Sequence, residues 1–313
     1  MKHLAEYVFI FLLKLLTKLL PWRSLQLAGR FLGYFFYYIL PIRKEVCIEN
    51  LSIAFKDIKN KKEIEQLSKQ VYINIGQTIV EMIAFDKINK NNFNKFLTIN
   101  HPEYLFKIRD AKKGALLITA HFGNWELMGC SFGLMDLPVD FITGTLKNPY
   151  IDNMLNNARK AKMVGIIPVK DGIKKIMTSL KNGRLIAILP DQDPGKTTIP
   201  IRFLGQPAYA PRGPAVFARK FDSPILLGFM IRDKNGHLNV NLVEPLYFEK
   251  TEDEEYDLVR ITYSYYSIIE KFIMDYPDHW LWLHKRWKRI PSEDEIMETE
   301  RLILKRCNPD SDD

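Results

Sequence analysis

The spacing of hydrophobic residues divides the chain into a helical first part and an alternating remainder. From Glu63 to Ala84, apolar side chains recur every three or four positions, which predicts one long helix. A polar linker, Lys87–Asn92, follows. Beyond it, short apolar runs alternate with segments of helical spacing. The predicted strands are Ala115–Ala120, Val139–Gly144, Ile166–Val169 and Arg184–Leu189, and the helices between them are Asn124–Phe132, Asn148–Met163 and Gly172–Lys181.

This alternation predicts an α/β fold with a mostly parallel central sheet flanked by helices, because parallel neighbours are joined by helical crossovers. Ile225–Ile231 and Leu238–Val243 flank a turn sequence at Lys234–Gly236, which predicts an antiparallel hairpin added to the sheet. A further helix is expected from about Tyr256 to Met274. Residues 308–313 are polar and acidic, and we expect them to be a disordered tail.

The first forty residues are strongly apolar and predict an N-terminal membrane-associated helical segment. Tyr7–Leu13 has no charge, Lys14 and Lys18 follow on one helix face, and Phe31–Ile42 is dense in aromatic residues. Each uncharged stretch is shorter than the roughly 20 residues that cross hydrocarbon. We therefore expect helices in the membrane interface, although Leu4–Leu20 could just span if its lysines reach the headgroups. A pair of buried core helices is the alternative, and the lysines disfavour a cleaved signal peptide.

Composition and charge narrow the class of protein. The chain has 313 residues and is 47% hydrophobic, enough for one large domain at 46–307 behind an anchor at 1–45. Its formal net charge of +8 suits anionic partners, such as acidic lipid headgroups or an acidic carrier protein. No pattern typical of nucleic-acid binding is present. Cys47, Cys130 and Cys307 are too widely separated to predict a metal site, and a disulfide framework is not expected.

The most informative segment follows the predicted strand Ala115–Ala120, where residues 121–126 read HFGNWE. Gly123 allows a turn and Asn124 can cap a helix, so Glu126 can fold back towards His121. An imidazole titrates near neutrality and a carboxylate fixes its tautomer, which predicts a general base formed by His121 and Glu126. Trp125 would line the pocket and exclude water.

A second polar loop, Asp191–Gly195, leaves another predicted strand and includes Gln192. Ligands of α/β sheets bind beyond the carboxyl ends of strands, so the two loops should share one site. Arg159 lies late in its predicted helix, where it is either a solvated side chain or a cation that binds a phosphate or an oxyanion. Asp191 could then hold it by a charge-assisted hydrogen bond.

Two other motifs in the sequence suggest different chemistry. Residues 129–133 match the G-x-S-x-G pattern of serine hydrolases, but Ser131 would lie within a helix instead of at a strand-to-helix turn. His279 and His284 are poorly spaced for metal binding. The three tryptophans among the basic residues of 277–289 suit a membrane surface, and the alternatives are stacking on bases or packing in the core.

Taken together, these residues resemble the lipid A late acyltransferases, the lauroyl and myristoyl group within the wider H-x4-D/E acyltransferases. The HFGNWE segment has the form found in that family. Further segments follow in the same order, and they are Arg159 with Gly165, Leu180–Gly183, Asp191–Pro194, Phe203–Gly205, Ala218 and Trp282–Lys288. The phosphate-binding F-P-E-G-T-R block of the wider group is absent. Pro211–Gly213 is more basic than the family pattern.

The resemblance implies an enzyme on the cytoplasmic face of a bacterial inner membrane. It would transfer a fatty acyl group from acyl carrier protein to a hydroxyl of a lipid A precursor, without cofactor or metal. His121 would remove the hydroxyl proton, and Glu126 would orient the His121 imidazole. Arg159 and Asp191 would complete the site, with Asn124, Trp125 and Gln192 contacting substrate. Related members acylate other glycolipids, so the acceptor stays open.

Overall fold

The computed structural model describes residues 2–169 and 172–307, and the tail expected at 308–313 lies outside this range. The described part contains two sheets, of seven and two strands, within layers of helices. The strands are β1 Leu97–Asn100, β2 Ala115–Ile118, β3 Val139–Thr143, β4 Val164–Pro168, β5 Leu185–Ile188, β6 Thr198–Phe203, β7 Gln206–Pro211, β8 Ile225–Arg232 and β9 Leu238–Leu242. The helices are α1 Lys2–Leu19, α2 Trp22–Tyr38, α3 Lys44–Ala54, α4 Lys61–Ile83, α5 Glu103–Asp110, α6 Trp125–Leu134, α7 Pro149–Lys160, α8 Gly172–Lys181, α9 Gly213–Phe221, α10 Glu254–Asp275 and α11 Glu293–Cys307.

The large sheet has the strand order β1-β9-β8-β2-β5-β3-β4. Strands β8, β2, β5, β3 and β4 run parallel to one another, and β9 is antiparallel to β8 through the predicted hairpin. The prediction of an α/β fold with a mostly parallel sheet is therefore confirmed. Elements that the hydrophobic spacing did not predict are β1, α5, the β6–β7 ribbon, α9 and α11.

Both faces of the large sheet are buried. Alternate residues of β2 belong to two different cores, with Leu116 and Ile118 on one face and Ala115 and Leu117 on the other. Helices α8, α9 and α10 and the β6–β7 ribbon contribute to the first core, and α5 and α6 contribute to the second. A central strand covered on both sides reads as a continuous apolar run, which is why β2 is uniformly apolar.

Helix α2 is packed on the domain along one side only. It crosses α4 at small residues, and a Cβ added at Gly76 would meet the carbonyl oxygen of Gly29 at 2.3 Å. The opposite side of α2 is exposed, with Phe31 at 65% of its maximal exposure. On α1, Phe9 is exposed to a similar degree, at 63%. The exposed apolar side chains of the two helices include Leu4, Val8, Phe9, Phe11, Leu12, Leu15, Leu16, Leu19, Leu27, Phe31, Phe35 and Tyr38.

Within residues 2–169 and 172–307, no helix has both the length and the apolar character that a membrane span requires. The predicted association of α1 and α2 with a membrane, and the division of the chain at residue 45, stay predictions.

Candidate active site

His121 lies in the short loop between β2 and α6, at the carboxyl edge of the sheet. Gly123 in this loop has a φ of 54°, and a Cβ on it would meet the carbonyl oxygen of Met230 at 1.9 Å. Only glycine fits this position. Asn124 follows and caps α6, because its side-chain oxygen accepts a hydrogen bond from the backbone N–H of Leu127 at 2.9 Å.

A neighbouring segment holds the same loop in place. The backbone N–H of Gly123 donates to the carbonyl of His279 at 2.8 Å, and the N–H of Leu281 donates to the carbonyl of His121 at 2.9 Å. These two hydrogen bonds flank Phe122 and fix the backbone that directly follows His121.

The partner of the imidazole is Asp191. Strands β2 and β5 are parallel neighbours with Ile118 opposite Ile188, and His121 and Asp191 each follow three residues later. Oδ1 of Asp191 lies 2.9 Å from Nδ1 of His121. Oδ2 accepts hydrogen bonds from the backbone N–H of His121 at 2.9 Å and from Nε1 of Trp280 at 2.8 Å.

This geometry fixes the tautomer of His121. An ionised carboxylate only accepts hydrogen bonds, so the proton of a neutral imidazole must lie on Nδ1 and the lone pair on Nε2. Among the described residues, Nε2 has no hydrogen-bond partner. Burial alone would lower the pKa of His121, but the Asp191 carboxylate outweighs it and the pKa is raised above its usual value. Burial alone would raise the pKa of Asp191, but His121 holds that pKa below its usual value.

Glu126 and Arg159 form a second pair beside the first. Nη2 of Arg159 lies 2.6 Å from Oε1 of Glu126, and Nε lies 3.0 Å from Oε2. Nη1 donates to the side chain of Asn156 at 3.0 Å. The expected partners are therefore exchanged, because Asp191 and not Glu126 binds His121, and Glu126 and not Asp191 binds Arg159. Glu126 stands in the first turn of α6 and meets α7, whereas strand order places Asp191 beside His121.

His121, Glu126 and Arg159 line one cavity of about 600 Å³ at the carboxyl edge of the sheet, and Asp191 supports His121 from outside the cavity lining. The polar part of its wall also includes Thr119, Thr143, Thr145 and Asp152. Its remaining wall is largely apolar and includes Leu117, Trp125, Met128, Phe141, Ile142, Leu155 and Leu189. A neutral imidazole facing an apolar cavity can accept a proton from a hydroxyl group, and the arginine can offset negative charge that develops there.

Comparison with known proteins decides the family. The model of the bacterial lipid A biosynthesis acyltransferase family matches residues 1–289. The chain belongs to this family. It is 23% identical to the lipid A biosynthesis lauroyltransferase of Escherichia coli K12 over 277 residues, which cover 87% of this chain and 88% of the relative. It is 24% identical to the lipid A biosynthesis acyltransferase of Haemophilus influenzae over 281 residues, covering 88% and 87%.

A more distant similarity is restricted to part of the chain. The phosphatidylinositol mannoside acyltransferase of Mycobacterium tuberculosis H37Rv is 23% identical over 117 residues, or 36% of this chain and 37% of the relative. Since the family model spans most of the chain, the protein is an acyltransferase.

The other predicted contact residues of the acyltransferase take different places. The ring of Trp125 packs edge-on against the ring of His121 at 5.0 Å, in the cavity wall. Asn124 is fully buried, and its amide donates to Glu81 at 2.9 Å, so it attaches the loop to α4 and not to a substrate. Gln192 follows Asp191 but is not among the residues that line the cavity.

One group near the site was missed from the sequence. Glu81 of α4 is fully buried, and both of its carboxylate oxygens bind Arg232, at 2.7 and 2.8 Å. Gln26 of α2 also donates to it, at 2.8 Å. The sequence signal for this group was a carboxylate inside the apolar run Ile79–Ala84. An unpaired charge is too costly to bury there, so a buried cationic partner was to be expected.

Two of the alternative interpretations do not fit the structure. Ser131 is buried within α6 and donates to the carbonyl of Met128 at 2.6 Å, so it has no nucleophile elbow. The membrane-surface interpretation of the tryptophans was wrong, because Trp280, Trp282 and Trp287 are all buried in the first core. The rings of Trp280 and Trp287 pack against Phe203 of the β6–β7 ribbon, which the sequence did not predict, and the ring of Trp282 packs against Phe55 of α3.

Metal binding finds no geometric support in the described ranges, where no three His, Cys, Asp or Glu side chains are grouped to hold an ion. Both ring nitrogens of His279 are engaged, by Asp278 and by the backbone N–H of Arg232. Cys47 and Cys130 are buried thiols, and burial raises the pKa of each to about 12.

Proposed function

We propose that this acyltransferase moves a fatty acyl group from an acyl carrier protein thioester to a hydroxyl of a lipid A precursor. The observation that carries the proposal is the His121 imidazole in the wall of a largely apolar cavity, with Nδ1 held by Asp191 and Nε2 without a hydrogen-bond partner among the described residues. The family match supports lipid A biosynthesis as the setting of the reaction.

In the proposed reaction, Nε2 of His121 accepts the proton of the acceptor hydroxyl while the hydroxyl oxygen attacks the thioester carbonyl carbon. A carbon–oxygen bond forms and an oxyanion develops. When the oxyanion collapses, the carbon–sulfur bond breaks and the departing thiolate takes the proton back from His121. Asp191 stabilises the transient imidazolium, as a buried carboxylate does for other catalytic histidines.

Arg159 supplies the positive charge that offsets the oxyanion, and Glu126 holds the guanidinium by two hydrogen bonds. The negative charge of Glu126 also raises the pKa of His121 from a distance, after the larger effects of burial and Asp191. The apolar wall receives the acyl chain and excludes the water that would hydrolyse the thioester.

We propose that the donor is drawn to the enzyme by charge. Acyl carrier proteins are acidic, and the chain carries a formal net charge of +8.

The exposed faces of α1 and α2 support attachment to the cytoplasmic face of the inner membrane. Helix α1 packs on α7, which carries Arg159, and the rings of Tyr7 and Tyr150 lie 5.7 Å apart. The apolar face of α1 is therefore close to the cavity that would receive a lipid. The double variant Phe9→Glu, Phe31→Glu should lose flotation with lipid vesicles, whereas Ile58→Glu, also at an exposed apolar residue, should float normally. Normal flotation of the double variant would contradict the attachment.

A different glycolipid acceptor is the second candidate function, since part of the chain is similar to a phosphatidylinositol mannoside acyltransferase. An esterase that uses Ser131 has no such support. In a purified assay with acyl carrier protein thioester and lipid A precursor, Ser131→Ala should keep its rate. His121→Ala should lose roughly 10²–10⁴-fold of it. Transfer only to mannosylated lipid would favour the second candidate, and dependence on Ser131 would refute both.

A further inference from the structure

A second, polar cavity of about 520 Å³ lies on the other side of the His121 loop. Helices α2 and α4, the β8–β9 turn and the segment around His279 form its walls. Among its lining residues are Arg23, Arg30, Gln77 and Lys234. Nothing in the proposed reaction uses this cavity.

Three cations surround the opening. Arg23 and Arg30 are seven residues apart on α2 and therefore lie on one helix face, and Lys234 faces them from the β8–β9 turn. All three are exposed. Among the described residues, none of the three has an ion-pair partner.

Two carboxylates also line the cavity, and each makes hydrogen bonds of its own while keeping its negative charge. Asp278 accepts hydrogen bonds from Asn74 and is paired with His279 at 3.0 Å. Asp233 accepts the backbone N–H groups of Asn235 and His237 at 2.8 and 2.9 Å.

The buried carboxylate of Glu81 is likewise engaged, by Arg232. The lining has four cationic side chains and two carboxylates, and Glu81 offsets Arg232. The remaining balance is positive by one charge, which suits an anionic ligand.

Two contacts fix helix α2 relative to the β8–β9 turn. Nε1 of Trp22, at the start of α2, donates to the carbonyl of Gly236 in the β8–β9 turn at 3.0 Å. Gly236 also packs directly on the side chain of Gln26. The turn that carries Lys234 is thus attached to the helix that carries the two arginines, so the backbone positions of the three cations are fixed relative to one another.

The cavity borders the exposed apolar face of α2. Leu27 lines the cavity and is 54% exposed, and Phe31 lies one turn further along the helix. A ligand with an anionic head in the cavity could place hydrocarbon along this face. These features describe an amphiphile and not a small soluble anion.

Shared lining residues place this cavity next to the catalytic loop. A small cavity of about 90 Å³ shares Asn74, Asp278 and His279 with the polar cavity, and it shares His121 and Trp125 with the active-site cavity. Only this small cavity therefore separates a lipid bound in the polar cavity from the proposed base, His121.

We propose that Arg23, Arg30 and Lys234 bind a phosphate monoester of the acceptor lipid and so place its hydroxyl at His121. The proposal rests on the proposed function, because it assigns the acceptor of that reaction an anionic group and a direction of entry. It predicts that the enzyme distinguishes an acceptor with its phosphate from the same acceptor after enzymatic dephosphorylation.

The test compares the KM values for these two acceptors. The unaltered enzyme should show a KM roughly tenfold or more lower for the phosphorylated acceptor, as charge-assisted hydrogen bonds to phosphate would give. In the triple variant Arg23→Gln, Arg30→Gln, Lys234→Gln, the ratio of the two KM values should approach one. The triple variant Lys56→Gln, Lys181→Gln, Lys250→Gln removes the same charge at exposed positions elsewhere and should keep the original ratio.

Three results would overturn the proposal: an unchanged ratio in the first variant, no preference in the unaltered enzyme, or the same loss of ratio in the control variant. Binding of both acceptors in detergent micelles to His121→Ala protein separates this proposal from the function. Phosphate-dependent binding that only the first variant loses supports the cavity even when no acceptor is acylated.

Vesicles of phosphatidylglycerol or phosphatidylcholine identify the source of the phosphate. If the first variant loses preference for phosphatidylglycerol but keeps the acceptor ratio, the cavity holds a membrane phospholipid and the proposal is wrong. If both triple variants keep the same preference for phosphatidylglycerol vesicles but differ in the ratio of the two KM values, the ligand of the cavity is the acceptor.

Discussion

Replacing Asp191 by asparagine should reverse the tautomer of His121. The two oxygens of Asp191 have different tasks, since Oδ2 accepts two donors, from His121 and Trp280, and Oδ1 faces Nδ1 of His121 alone. An asparagine with its NH₂ group in the Oδ2 position would lose two hydrogen bonds and oppose two donors, at about 1–3 kcal/mol for each buried group left unpaired. The favoured orientation therefore places the NH₂ group at Nδ1.

In that orientation Nδ1 must accept a hydrogen bond, so the ring proton moves to Nε2 and His121 can no longer accept a proton from the acceptor hydroxyl. The lost base function corresponds to a fall in kcat of roughly 10³-fold, or about 4 kcal/mol at 1.36 kcal/mol per factor of ten. The overall fold should be retained, because the hydrogen bonds of Oδ2 are kept.

Two assays check this prediction. Steady-state transfer kinetics give kcat, and ¹⁵N NMR of the imidazole reports whether Nδ1 or Nε2 carries the proton. Asp193→Asn is a suitable control, because Asp193 lies in the same loop but binds Arg289 and not His121. A kcat for Asp191→Asn within tenfold of the unaltered enzyme, or an unchanged tautomer, would refute the reasoning.

The remaining predictions concern the other buried charges. Arg159→Lys should reduce kcat about 100-fold, because lysine cannot keep two parallel hydrogen bonds to Glu126, and an unchanged rate would remove Arg159 from the mechanism. Glu81→Gln should destabilise the fold by about 3–5 kcal/mol in urea unfolding, since it leaves Arg232 charged and buried, and a loss below about 1 kcal/mol would contradict this. The raised pKa of His121 stabilises the fold below the unfolded pKa of 6.5, and the lowered pKa of Asp191 stabilises it above 3.8. The loss in free energy of unfolding caused by Asp191→Asn should therefore be greatest between pH 3.8 and 6.5 and smaller at about pH 9. A loss that does not depend on pH would exclude the coupling between His121 and Asp191.

Local signals in the sequence were sufficient for much of the central sheet. Strands β2 and β5 and helix α8 follow from apolar runs and helical spacing with clear ends, and α8 has the predicted bounds Gly172–Lys181. The β6–β7 ribbon was missed because its strands contain prolines and no simple alternation identified it. Without that ribbon, the apolar partner of the tryptophans was hidden, and a membrane surface was the natural alternative.

The site shows the same division between local and long-range information. That the loops after β2 and β5 share one edge of the sheet follows from their position at strand ends. Which acid meets His121 depends on strand order, because only the adjacency of β2 and β5 brings Asp191 beside it. Proximity in sequence favoured Glu126, but a first-turn residue of α6 is directed by its helix towards Arg159.

The most direct test of the central claim is mass spectrometry of lipid A from cells that lack the gene, complemented with the unaltered or the His121→Ala protein. We expect lipid A without the gene to lack one acyl chain, and the unaltered protein alone to restore it. Unchanged lipid A in the absence of the gene, or full restoration by His121→Ala, would contradict the account.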